Sequence, residues 1–180
     1  MIKRCLQVED LDSVLDLFTR MFGSDPYYKK LAGRSSVDEL IKVEFSREFE
    51  GIIRAGASYG LFENNKMIGF LLGFITKDLE MMNKPIYDSI FYKANNLRSV
   101  IEGITQDTYF IVSYVVEEDY ANKGLEEELI RYMMDNVGHM VTYITDVYGE
   151  DTVKKLQPLG FQIKVVNGLT LQYKSYGRVW

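Results

Sequence analysis

Residues Thr108 to Glu126 read TYFIVSYVVEEDYANKGLE. The first ten, Thr108 to Glu117, are rich in β-branched and aromatic side chains and read as a strand. A polar turn follows, and Gly124 stands where a helix opens. Leu125, Leu129, Ile130, Met133, Met134 and Val137 then recur on one side of that helix. Met140 to Val147 reads as the next strand, so the segment is a strand–helix–strand crossover. Such a junction presents unsatisfied backbone N–H groups and the positive end of a helix dipole, which suits an anion, phosphate above all. A strand-to-helix turn also calls for glycine on conformational grounds alone, and Lys123-Gly124-Leu125 by itself fits that reading too.

Toward the N-terminus, residues 2 to 8 read as a short strand. Leu11, Val14, Leu15, Phe18, Met21 and Phe22 mark an amphipathic helix that Gly23 to Pro26 end. Residues 23 to 35 read as a loop. A second helix starts after Ser36, which has capping-box spacing to Glu39, and runs on an apolar face of Leu40, Ile41, Phe45, Phe49, Ile52 and Ile53 as far as Gly56. Strands at 59–63 and 66–76 flank Asn64-Asn65, a two-residue turn signal. The second is almost continuously apolar, as in a strand covered on both faces. Residues 77 to 106 read as an inserted helical segment.

Beyond the crossover, a short helix is expected at 151–157, stopped by Pro158 and Gly160. Two alternating strands then flank Asn167-Gly168. The expected architecture is a single domain over 1–180. It is an α/β mixed sheet, mostly antiparallel, of six to seven strands, with helices on both faces around the central crossover.

Composition narrows the functions. The 180 residues carry 21 basic and 26 acidic side chains, a net charge of −5, which disfavours nucleic acid and mildly favours an amine-bearing partner. A single cysteine and a single histidine exclude a disulfide framework and a Cys/His metal site. Cys5 is expected in the core, and His139 as a dipole partner at the end of the crossover helix. No apolar run approaches the roughly 20 residues of a spanning helix. No membrane partner, no metal and a cytoplasmic location are therefore expected.

The order of elements resembles the GNAT superfamily of acyl-CoA-dependent N-acyltransferases. Tyr114-Val115-Val116, the acidic turn with Asp119-Tyr120, and Asn122-Lys123-Gly124-Leu125 are similar to that family's CoA-binding segment. Leu159-Gly160-Phe161 is similar to its loop before the sixth strand. The resemblance implies an N-acetyltransferase that uses acetyl-CoA as cosubstrate and a small-molecule or peptide primary amine as acceptor, with a homodimer among its expected assemblies. It places Tyr114, Val115 and Val116 against pantetheine, and the segment Ala121, Asn122, Lys123, Gly124, Leu125 and Glu126 around pyrophosphate.

Three residues depart from the family pattern. Ala121 stands where the family has Arg or Gln, Glu126 where it keeps a small residue, and Leu156 where many members have a tyrosine general acid. Tyr148 and Tyr114 are the phenols that could take that role. The departures support an alternative, a catalytically degenerate GNAT-fold binding or regulatory module. Substrate selection is expected from 23–35, the second helix and 77–106, with Tyr27, Tyr28, Tyr87 and Tyr92 as candidate amine-site residues.

Overall fold

The computed structural model describes residues 1–75, 108–138, 141–145, 156–166 and 169–174. The expected insert, His139, Tyr148, the Asn167-Gly168 turn and most of the helix expected at 151–157 lie outside them. Seven described strands make one sheet: β1 (Ile2–Cys5), β2 (Tyr59–Glu63), β3 (Lys66–Ile75), β4 (Thr108–Val116), β5 (Val141–Thr145), β6 (Gln162–Val166) and β7 (Leu169–Lys174). Their order is β1-β2-β3-β4-β5-β7-β6. Every neighbouring pair is antiparallel except β4 and β5, which run parallel.

Local chemistry accounts for much of this. Asn64 (φ 50°) and Asn65 (φ 63°) both take left-handed backbone, and Glu63 pairs with Lys66 across them. Asparagine tolerates that region, so the two-residue turn closes with the twist its strands need. Helix α1 (Leu11–Phe22) buries Val14, Leu17 and Phe18.

The segment expected as a loop at 23–35 instead contains a helix, α2 (Pro26–Ala32). The Asp25 side chain accepts a hydrogen bond from the Tyr27 N–H at 2.7 Å, and Pro26 occupies the first turn. Proline breaks a helix interior, but its fixed φ and missing N–H suit a helix start. Ser36 then accepts from the Glu39 N–H at 3.1 Å, as its capping position predicts. Helix α3 (Val37–Leu40) passes through one π turn (Ile41–Phe45) into α4 (Ser46–Arg54).

Two cores lie on opposite faces of the sheet. The first packs α1, α2, α3 and α4 against Phe70, Phe74, Phe110, Val112 and Val115. The second packs helix α5 (Leu125–Val137), Leu156, Leu159 and Phe161 against Leu61, Leu71, Tyr109, Ile111 and Val116. Cys5 is half-buried at the edge of the second core rather than inside it, with Sγ 3.3 Å from the Gly56 carbonyl oxygen.

A bulge in β4 divides its faces. Ser113 pairs with Leu72 but Ile111 pairs with Gly73, so Val112 is an extra residue. Before it, Phe110 faces the first core and Tyr109 and Ile111 the second. After it, Val115 faces the first core, while Tyr114 and Val116 pack on the second. An extra residue reverses the parity of a strand, and here it turns Tyr114 toward α5.

Candidate functional site

Strand β4 bonds β5 only from Thr108 to Ile111, opposite Val141 to Ile144. On its other edge, pairing with β3 continues to Val116. Among the described residues, the stretch Val112–Val116 therefore has a strand on one side only. Backbone groups on a strand edge can be satisfied by an extended ligand as well as by another strand.

The chain then makes a 3-10 turn (Glu118–Tyr120) before α5. Asn122 (φ 63°) and Gly124 (φ 73°) both take left-handed backbone. A Cβ added at Gly124 would meet nothing within 4 Å, so the glycine answers to its φ and not to crowding by the protein. A cavity of about 230 Å³ opens here. Tyr114, Tyr120, Asn122, Gly124, Glu126 and Glu127 line it, with Leu125, Ile130 and Leu159 as its apolar floor. The first N–H groups of α5 start at this wall, where a helix has no acceptors of its own for them.

Of the residues singled out from sequence, Tyr114, Asn122, Gly124, Leu125 and Glu126 come together around the cavity. Val115 and Val116 are buried in opposite cores and bring their backbone to the open edge. Ala121 and Lys123 are exposed and do not line the cavity. Lys123 Nζ instead lies 4.6 Å from the centroid of the Tyr120 ring, a cation–π contact. Leu156 is fully buried in the second core. Tyr120, in the acidic turn, also lines the cavity, a role its sequence position does not signal. Its hydroxyl donates to Glu63, which ties the β2–β3 hairpin to the turn and raises the phenol pKa.

The carboxylates of the first turn of α5 lie in different surroundings. Glu127 pairs with Arg131 at 2.6 Å and Glu128 with Lys3 at 3.0 Å, while Glu126 is half-buried on the cavity wall. At the end of β4, Glu117 accepts from Lys66 at 2.8 and 3.0 Å and from Arg20. Those hydrogen bonds, from Lys66 first and then Arg20, hold its carboxyl below the usual range. They fasten the strand end to β3 and α1. Among the described residues, no group of His, Cys, Asp and Glu is arranged to hold a metal ion.

No family model and no curated protein sequence matches the chain. Solved structures do. A polyamine N-acetyltransferase of Drosophila melanogaster that forms N-acetylagmatine matches over 97% of this chain and 99% of its own, with TM-score 0.70 at 8% identity. Arylalkylamine N-acetyltransferase 2 of Aedes aegypti matches over 98% and 99%, with TM-score 0.66 at 18% identity. A PaiA N-acetyltransferase of Thermoplasma acidophilum, in complex with coenzyme A, matches over 97% and 98%, with TM-score 0.61 at 13% identity.

The chain has the GNAT fold. In this GNAT fold the described crossover β4–α5–β5, the stretch of β4 with no second strand among the described residues and the left-handed turn at Asn122–Gly124 meet at one cavity. The aligned proteins share the arrangement of elements at identities too low to carry side-chain roles across.

Proposed function

We propose that the chain is an acetyl-CoA-dependent N-acetyltransferase whose acceptor is a primary amine of a small molecule or peptide. One observation carries this reading. The stretch of β4 with no second strand among the described residues, the start of α5 and two left-handed residues converge on a single cavity. The edge from Val112 to Val116 offers N–H and C=O groups to an extended amide-bearing arm. The backbone N–H groups from Asn122 to Glu126 suit a pyrophosphate. Acetyl-CoA supplies the acetyl group as an activated thioester.

This chain's own residues do the rest. An N–H of the open edge polarises an acyl oxygen. Tyr114, which lines the cavity, is the proposed proton donor to a departing thiolate, and Tyr148 the second candidate. A thiol with a pKa near 8.5 leaves tolerably without an acid, so the acid contributes about 10²–10⁴ in rate. The cytoplasm is the proposed compartment, on the strength of the single cysteine.

A second reading has its own support. Glu126 and Glu127 line the cavity, and Leu156 is buried where many GNAT enzymes have a tyrosine. Carboxylates beside a pyrophosphate weaken its binding, as suits a GNAT-fold binding module. Calorimetric titration with acetyl-CoA separates the two. A micromolar dissociation constant supports the enzyme, and no heat at millimolar ligand supports the module.

A further inference from the structure

Three features of the sheet coincide at Gly73. It faces Ile111, the last residue of β4 before the extra Val112. Ile111 is also the last residue of β4 that pairs with β5 among the described residues. On its other edge, Gly73 lies past the end of the β2–β3 pairing, because Tyr59 opens β2 opposite Leu71. A strand glycine at such a place marks a bulge or a close approach of other groups, and here it has both.

The groups that approach form a buried polar knot. Ser58 stands in for a strand: its Oγ accepts from the Gly73 N–H and donates to the Gly73 carbonyl oxygen, each at 3.2 Å. The Ser58 carbonyl oxygen accepts in turn from the Leu6 N–H at 2.8 Å. Tyr109 of β4 reaches diagonally across β3 and donates its hydroxyl to the Ala57 carbonyl oxygen. A Cβ on Gly73 would collide with that phenol, so the missing side chain is the gap through which the tyrosine passes. Burial pushes the Tyr109 phenol well above its ordinary pKa, which keeps it a donor. Ala57, Ser58, Gly73 and Tyr109 are all buried, so a broken bond here leaves a polar group without water to replace its partner.

We infer that Ser58 and Tyr109 are positioning residues for the acyl donor: the knot they tie at Gly73 pins the bulge at Val112, and so fixes where the one-sided stretch of β4 begins. The inference rests on the proposed function, which lays acetyl-CoA along that stretch. A bulge is one extra residue, and nothing in β4's own backbone holds it at one position. If it migrated by one residue, Gly73 would face Val112 and Ile111 would become the extra residue. The ring of Tyr109 over Gly73 and the two bonds from Ser58 hold Gly73 against Ile111 instead. Beyond the bulge, the Glu117 N–H donates to the Ile68 carbonyl oxygen at 2.7 Å, which holds the far end. The bulge is thus fixed from both sides.

The test joins calorimetric titration of the full chain with acetyl-CoA to NMR contacts between the backbones of β3 and β4. Wild type is expected to show Gly73 against Ile111 and Leu72 against Ser113. In Y109F and S58A a Gly73–Val112 contact should appear, and acetyl-CoA should bind roughly threefold or more weaker. V14A, which thins the first core away from the knot, should unfold at lower urea yet keep the wild-type contacts and affinity. Should Y109F fail to fold, S58A decides. Wild-type contacts or full acetyl-CoA affinity in the folded knot variants overturn the inference, as does an equal loss of affinity in V14A. If wild type does not bind acetyl-CoA, the acetyltransferase reading falls, and the Gly73–Val112 contact alone decides whether the knot pins the bulge. If acetyl-CoA binds wild type and both knot variants alike, that reading stands and the inference falls.

Discussion

Strand β4 is largely apolar, yet its two halves have different fates. From Thr108 to Ile111 it lies between β3 and β5, and its side chains are buried in both cores. From Val112 to Val116 it keeps β3 but, among the described residues, has no strand on the other edge. There the same kind of residue lines a cavity. A continuous β run thus builds core where both edges are paired and a site where one edge is released.

The largest expected effect sharpens that contrast. Phe110→Ala empties a fully buried position stacked on Phe74, with centroids 5.7 Å apart, and should cost about 3–5 kcal/mol in urea unfolding. Tyr114→Ala, half-buried in the released half, should cost about 1 kcal/mol and weaken acetyl-CoA instead. Equal stability losses would dissolve the distinction between the halves.

Gly124 comes next. Its φ of 73° is strained for valine but tolerable for asparagine. Gly124→Val should lose about 1–3 kcal/mol of stability and Gly124→Asn little, measured by the same unfolding. Both should weaken acetyl-CoA by roughly tenfold or more, because each side chain enters space a ligand would fill. Full affinity in Gly124→Asn would move the ligand away from this turn.

Glu117 fastens the far end of β4 to Lys66 and Arg20. Its folded pKa lies below the ordinary 4.5 because those cations hydrogen-bond the charged form. The stability it contributes is therefore fully present above 4.5 and is lost as pH falls through the lower folded value. Glu117→Gln should cost about 1 kcal/mol at neutral pH, given partly exposed partners. The difference from wild type should shrink below about pH 4 in urea titrations. A difference that stays constant with pH would mean the clamp is not electrostatic.

The smallest effect is at Glu126. Glu126→Gln removes a half-buried carboxylate from the cavity wall and should tighten acetyl-CoA by roughly threefold at low salt, less at high salt. Looser binding would refute repulsion and leave the helix dipole as its role.

What was legible in the sequence was local. Asn64-Asn65, Ser36 with Glu39, and Gly124 each announce a backbone conformation through their own side chains or the lack of one, and the structure places all three accordingly. Asp25-Pro26 was equally local but has two meanings, a stop and a start, and only the following helix decides between them. Half of the site was legible in the same way, through Tyr114, Asn122, Gly124, Leu125 and Glu126. Lys123 was not, because its ammonium has a ring to rest on that lies outside its own local pattern.

The sequence by itself determined most of the described strands and helices, though not α2, and that a helix opening at a glycine follows β4. The faces of β4 were decided only in three dimensions. Strict alternation would set Tyr114 with Phe110 and Val112, away from α5. The bulge at Val112 reverses that parity, and a bulge is a property of two paired strands, β3 and β4, brought into register by the cores on either side.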